Sequence, residues 1–287
     1  METRLVDLPD GRELAWSEAG DPAGSPVFAF HGTPGSRLQL LVDPTPLLAV
    51  GVRFIAPDRP GYGLSTFHRQ RTLQGWADDV ATLADHLAID RFAVLGLSGG
   101  GPHAAACARF LPDRVMSAAI VSGIAPLAEP GSEEGMMAMN RVVTRAARRA
   151  PVLTRVPFGL MTRVGRRFPE RAIESFKRQL PPADVAVLSR PDAHEAFLRD
   201  LTHPSATTGR AATQDFALFT RDWGFRLEDI TVPVHVWQGD ADVNVPPPHA
   251  SWLAERIPGA VLHEIPGEGH LMCLDHMEEI LRCLVFS

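Results

Sequence analysis

Apolar runs of strand length alternate with amphipathic stretches along most of this chain. Val27–Phe30, Val52–Ala56, Phe92–Leu97 and Val115–Val121 are short and largely apolar. Runs of this kind suit parallel strands covered on both faces. Leu5–Leu8 and Glu13–Trp16 flank Asp10-Gly11, a turn signal that predicts an opening hairpin. Between the runs, Leu73, Trp76, Ala77, Val80, Leu83, Ala84 and Leu87 recur at helical spacing. Strand–helix alternation predicts an α/β fold with a parallel sheet. The alternation stops after Gly123. From about Leu127 to Ser205 there is no strand pattern, and Pro130, Pro151, Pro157, Pro169, Pro181, Pro182, Pro191 and Pro204 cut the segment into short helical pieces. Strands resume at Val232–Gln238 and Ala260–Ile265, and a last helix is expected over His270–Val285.

Composition narrows the class. A chain of 287 residues, 45% hydrophobic and 22% charged, supports a packed core and excludes global disorder. A net charge of −6 argues against a nucleic-acid partner. Cys107, Cys273 and Cys283 have no metal-ligand spacing and build no disulfide framework, so a reducing cytoplasm is expected. Lys177 is the only lysine among 28 basic residues, which reads as the codon bias of a GC-rich bacterial genome. The charged start Met1-Glu2-Thr3-Arg4 leads into no apolar signal core, and no apolar run approaches a membrane span. The expected partner is a small molecule, with neither nucleic acid nor membrane, on a monomer or homodimer. Arg141–Arg178 carries 11 Lys/Arg against Glu170 and Glu174, a local balance of +9. This reads either as solvated arginine faces or as a basic lid favouring anions or a partner.

The chemistry concentrates where strands end. Phe92–Leu97 runs into Gly96-Leu97-Ser98-Gly99-Gly100 and then the helical stretch His103–Phe110, so G-x-S-x-G stands on a strand, a sharp turn and a helix. Ser98 is the candidate nucleophile. A dinucleotide-binding turn would need glycine in its place. Val27–Phe30 runs into His31-Gly32-Thr33-Pro34-Gly35, where the amides of Thr33 and Gly99 are candidates for an oxyanion hole. After Val232–Gln238 come Asp240 and Asp242, two candidates for orienting a histidine. His270 follows Ala260–Ile265 on a glycine-flanked loop.

The order Ser, Asp, His, each after a strand, is that of α/β-hydrolase triads. With Asp58-Arg59-Pro60-Gly61-Tyr62-Gly63-Leu64-Ser65, Gly239-x-x-Asp242-x-x-Val245-Pro246 and Gly267-Glu268-Gly269-His270, the chain resembles the α/β-hydrolase superfamily over nearly its whole length. The resemblance implies a mostly parallel eight-stranded sheet flanked by helices. It makes 1–126 and 206–287 the core and 127–205 an inserted helical cap. It prefers Asp242 over Asp240, gives Asp58 a bracing role, and implies no metal or cofactor. Relatives with an aspartate nucleophile, the dehalogenases and epoxide hydrolases, are excluded by Ser98. Proline iminopeptidases differ at Thr33 and Gly99. The expected activity is hydrolysis of a small carboxylic ester, lactone or thioester. C–C hydrolase, perhydrolase, aminopeptidase and non-catalytic ligand-binding readings stay open. His31, Met136 and Met137 are candidate substrate contacts; methionine lines adaptable apolar pockets but packs cap helices equally well.

Overall fold

The structure, a computed structural model, describes residues 2–129, 131–202 and 209–286. Eight strands form one sheet: β1 Arg4–Asp7, β2 Glu13–Gly20, β3 Ser25–Phe30, β4 Val52–Pro57, β5 Phe92–Leu97, β6 Val115–Val121, β7 Val234–Gly239 and β8 Val261–Ile265. Their spatial order is β1-β2-β4-β3-β5-β6-β7-β8. β1 and β2 pair antiparallel, β2 pairs antiparallel with β4, and the remaining neighbours are parallel. The opening hairpin is therefore present, with β2 extended to Gly20 because its second half pairs with β4.

Helices cover both faces: α1 Thr45–Val50, α2 Leu73–His86 and α3 Gly101–Phe110 come first. Thr72 caps α2 by accepting the Gly75 amide at 2.9 Å. β3 shows why the central runs lack alternation. Phe28 and Phe30 join the core under α2 and α3, while Val27 and Ala29 join the opposite core. Both faces are dry, so every position is apolar.

Between β6 and β7 the chain forms α4 Ala138–Arg149, α5 Arg155–Arg167, α6 Pro169–Lys177, α7 Pro182–Ser189, α8 Pro191–Thr202 and α9 Gly209–Phe219. Pro169, Pro182 and Pro191 each open a helix, where a missing N–H costs nothing. The expected boundary between residues 205 and 206 lies outside the described residues, as do Pro130 and Pro204. α9 packs against α4 and α5. Then come α10 Pro248–Arg256 and α11 Met277–Phe286.

The last helix is a correction. It starts at Met277 rather than His270, after a 3₁₀ turn at Met272–Leu274. The backbone before Met277 closes i→i−3 bonds, Leu274 to the Leu271 carbonyl and Asp275 to that of Met272, while Asp184 on α7 accepts the amides of His270 and Leu271 and anchors the segment. Among the described residues no helix is long and apolar enough to cross a membrane.

Candidate active site

Register brings the chemistry together. Phe30 of β3 lies opposite Gly96 of β5, so the loop after β3 and the turn after β5 leave the sheet side by side. Gly239 of β7 lies opposite Ile265 of β8, which does the same for the segments carrying Asp242 and His270. All four emerge at the carboxyl ends of parallel strands, where open α/β sheets bind ligands.

Ser98 has φ +53°, in the left-handed region a serine adopts only under constraint. The constraint is close packing: a Cβ on Gly96 would lie 2.4 Å from the Gly100 carbonyl oxygen, and one on Gly100 would lie 2.2 Å from that of Phe30. α3 starts three residues on and directs its N-terminal partial charge at this turn. Ser98 is 8% exposed.

His270 Nδ1 lies 2.7 Å from Asp242 Oδ2. A carboxylate only accepts, so Nδ1 carries the hydrogen and Nε2 keeps its lone pair. Asp242 is buried and held from three sides. Its Oδ1 accepts the amides of Asn244 (2.8 Å) and Val245 (2.9 Å), and its Oδ2 accepts Gln238 Nε2 at 3.2 Å. Asp240 faces elsewhere and accepts the Gly267 amide at 2.7 Å. Burial lowers the His270 pKa, but the charge and hydrogen bond of Asp242, with Asp184 behind, outweigh it and hold the imidazole above its ordinary value. Among the described residues no hydrogen bond joins the Ser98 hydroxyl to His270; such contacts are commonly loose before substrate binds.

Thr33 and Gly99 adjoin one another: a Cβ on Gly99 would sit 2.3 Å from Thr33 Oγ1. Thr33 Oγ1 donates to Asp215 Oδ2 at 2.6 Å. Asp215, on α9, also accepts Arg59 (2.7 Å), Tyr62 Oη (2.5 Å) and Arg71, all buried. Burial raises the Asp215 pKa, yet Arg59 and Arg71 outweigh this and hold the carboxyl well below the usual range. Arg59 donates further to the carbonyls of His31 and Gly32, which fixes the path of the loop. His31 is brought beside the site but not into it. It is 1% exposed, its Nε2 accepts the Arg59 amide at 3.2 Å, and its Nδ1 lies 2.9 Å from the Gly32 carbonyl. Burial, then Arg59, keep its pKa well below ordinary, so the ring is a neutral brace. Asp58 accepts the Arg37 amide (2.7 Å) and guanidinium (2.5 Å) and the Leu64 amide (3.1 Å), a wholly internal role.

Asp184 and Asp215 escaped the sequence reading. Asp184 is fully buried; it accepts the amides of His270 at 3.0 Å and Leu271 at 2.8 Å. Its carboxylate fills the space a side chain on Gly269 would need, 2.4 Å from that Cβ position. Burial raises its pKa above the ordinary value, against the two amides and His270. Met136 is buried with Phe216, Phe219 and Val245, and Phe219 reaches within 3.2 Å of a Cβ position on Gly99. Met137 is half-buried and Met139 exposed. Cys273 is no rival nucleophile, since burial pushes its thiol up to about 12. Among the described residues, His235, His263 and Cys283 place three possible metal-ligand atoms within 4.8 Å of one another, at the opposite end of β7 from Asp242. There the two imidazoles contact each other at 3.1 Å.

Comparison with known proteins gives the family. Residues 27–282 match the alpha/beta hydrolase family, and the chain belongs to it. It is 27% identical to the "Uncharacterized hydrolase YcgS" of Bacillus subtilis, over 96% of this chain and 94% of that protein. It is also 27% identical to a non-heme haloperoxidase of Rhodococcus erythropolis, over 94% and 93%. The solved enol-lactonase of Burkholderia xenovorans LB400 superposes with a TM-score of 0.71 at 22% identity, over 99% of this chain and all of that one, which is a likeness of fold.

Proposed function

We propose that the protein is a serine hydrolase of small carboxylic esters, lactones and thioesters included, working through an acyl-enzyme. The observation that carries this reading is the pairing of a serine at φ +53° on a strand–turn–helix with a histidine whose Nδ1 is 2.7 Å from a buried carboxylate on the neighbouring strand ends. Ser98 Oγ attacks the carbonyl carbon while His270 Nε2 takes its proton. His270 returns that proton to the leaving alkoxide, and water repeats the sequence on the acyl-enzyme. Asp242 fixes the imidazole tautomer and stabilises the imidazolium. The amides of Thr33 and Gly99 receive the oxyanion; loss of one such donor costs about 2.7–4 kcal/mol.

Residues 127–205 act as a cap over this site. Met136, with Met137 beside it, forms the cap side of the acyl pocket, because the apolar cluster around Met136 reaches Gly99 through Phe219. The test is turnover of p-nitrophenyl acetate and butyrate together with fluorophosphonate labelling. Wild type turns over and is labelled; Ser98→Ala keeps its fold and loses both. Labelling retained in Ser98→Ala defeats the assignment, and a wild type that neither turns over nor is labelled defeats the activity.

A further inference from the structure

The outer surface of α5 contradicts what a helix of a water-facing cap should show. Its inner side is conventional, with Phe158 and Gly165 buried. Its outer side carries an apolar stripe beside the exposed Arg155, Arg163, Arg166 and Arg167. Val152, Val156, Leu160, Val164 and Phe168 succeed one another at intervals of four, running from the 3₁₀ turn at Pro151–Thr154 to the residue after α5. At 3.6 residues per turn such a series forms one stripe that drifts slowly round the helix. All five are exposed: 64% at Val152, 76% at Val156, 60% at Leu160, and 43% at both Val164 and Phe168. Scattered exposed apolar residues are ordinary, but a contiguous stripe marks a contact surface.

Charge selects the occupant. Arg163 and Arg167 border the stripe, one residue before Val164 and one before Phe168, and among the described residues neither forms an ion pair. With Arg166 they line a groove of about 490 Å³ beside Gly209, at the start of α9. The stretch Arg141–Arg178 carries a balance of +9 in a chain of net −6. A second copy of the chain would set arginine against arginine across a symmetric contact, so self-association through this face works against its charge. An acidic protein would satisfy the arginines but leave the five exposed apolar side chains beside them without a counterpart. An apolar stripe with arginines along its edge is the pattern of a helix lying in the headgroup layer, its apolar side toward acyl chains and its cations on phosphates.

We infer that α5 docks the protein on anionic phospholipid surfaces, with the Val156–Leu160–Val164 stripe entering the interface and Arg163 and Arg167 binding lipid phosphates. Among the described residues no helix is long and apolar enough to cross the bilayer, and the contact is peripheral and reversible. The attachment is separate from catalysis, because neither the stripe nor these arginines belong to the candidate active site.

Co-sedimentation of the full chain with vesicles tests this. The protein pellets with mixed phosphatidylcholine/phosphatidylglycerol vesicles and stays in solution with pure phosphatidylcholine. Salt at about 0.5 M releases it, since screening shortens the reach of the arginines. Arg163→Ala and Arg167→Ala each weaken binding about 5-fold. The Val156→Asp/Leu160→Asp double variant abolishes binding, while its melting temperature and p-nitrophenyl acetate turnover equal wild type. Both positions are exposed, so the variant keeps its fold. Absence of pelleting with anionic vesicles overturns the inference, as does equal binding to both vesicle types or undiminished binding of the double variant. A wild-type dimer that Val156→Asp/Leu160→Asp converts to monomer also overturns it, by assigning the stripe to a copy–copy contact.

Discussion

Asp215→Asn isolates what one buried carboxylate does for this fold. Asp215 is fully buried and accepts from Arg59, Arg71, Tyr62 and Thr33. With two guanidiniums on one carboxylate the cluster is already net positive in a dry region. Replacing the acid by its amide keeps the volume, removes the only counter-charge among these four partners, and turns an N–H₂ toward donors. Uncompensated buried charge of this kind costs about 3–5 kcal/mol. For 287 residues the entropy of unfolding near 60 °C is about 0.6 kcal/mol/K, so the melting temperature falls by about 5–8 °C. Urea denaturation and thermal melts of wild type and variant measure this directly. A loss below about 1 kcal/mol for Asp215→Asn would refute the view that the cluster is held by charge.

Three further outcomes follow from the same geometry. Asp242→Asn lowers kcat about 10⁴-fold by releasing the His270 tautomer, while Asp240→Asn, whose carboxylate serves the Gly267 amide, changes it little; steady-state kinetics on p-nitrophenyl butyrate separate them. The proposed mechanism needs neutral His270, and Asp242 and Asp184 hold its pKa above the ordinary 6.5, so kcat/KM rises with pH through a midpoint above that value; Asp184→Asn moves the midpoint down and lowers kcat, and a pH–rate profile reads both. Asp200 on α8 takes the Ser36 hydroxyl, and burial, with Asp58 nearby, pushes its carboxyl up to about 7. Its folded pKa lies above the unfolded value, so ionisation opposes folding: stability falls as pH rises from about 4 to about 7, and Asp200→Asn flattens that slope in denaturation midpoints taken at several pH values.

The central strands were readable because both of their faces are dry, which leaves an apolar run without competing signals. The turn carrying Ser98 was readable for a similar reason. Gly96 and Gly100 are demanded by backbone oxygens at under 3 Å, and few other local structures demand glycine at that spacing. Asp242 and His270 stand after strands whose register could not be read but whose order could. Asp184 and Asp215 were invisible on other grounds. Each is a lone acid on a short helix, Asp184 between Ala183 and Val185 and Asp215 between Gln214 and Phe216, and a single acid does not say which distant loop it will meet. Their partners are 86 residues away at His270 and 182 at Thr33, and no local pattern encodes such a distance. The start of α11 was misplaced because the apolar spacing of Leu271, Met272 and Leu274 reads as helix, whereas the backbone there closes a 3₁₀ turn.

The clamp between α7 and the His270 loop bears on how such an enzyme can be re-engineered. Exchanging residues 127–205, proposed above as a cap, for those of a relative is a natural route to a new substrate range. A graft cut at residues 127 and 205 leaves Asp215 in the recipient, so the Thr33 loop keeps its anchor. The same graft carries Asp184 away, and the amides of His270 and Leu271 lose their acceptor unless the donor segment brings a carboxylate to that spot. A transplanted pocket of ideal shape would then sit over a histidine with less support. Donor segments are best chosen first for an acid facing Gly269, and only afterwards for the pocket they line.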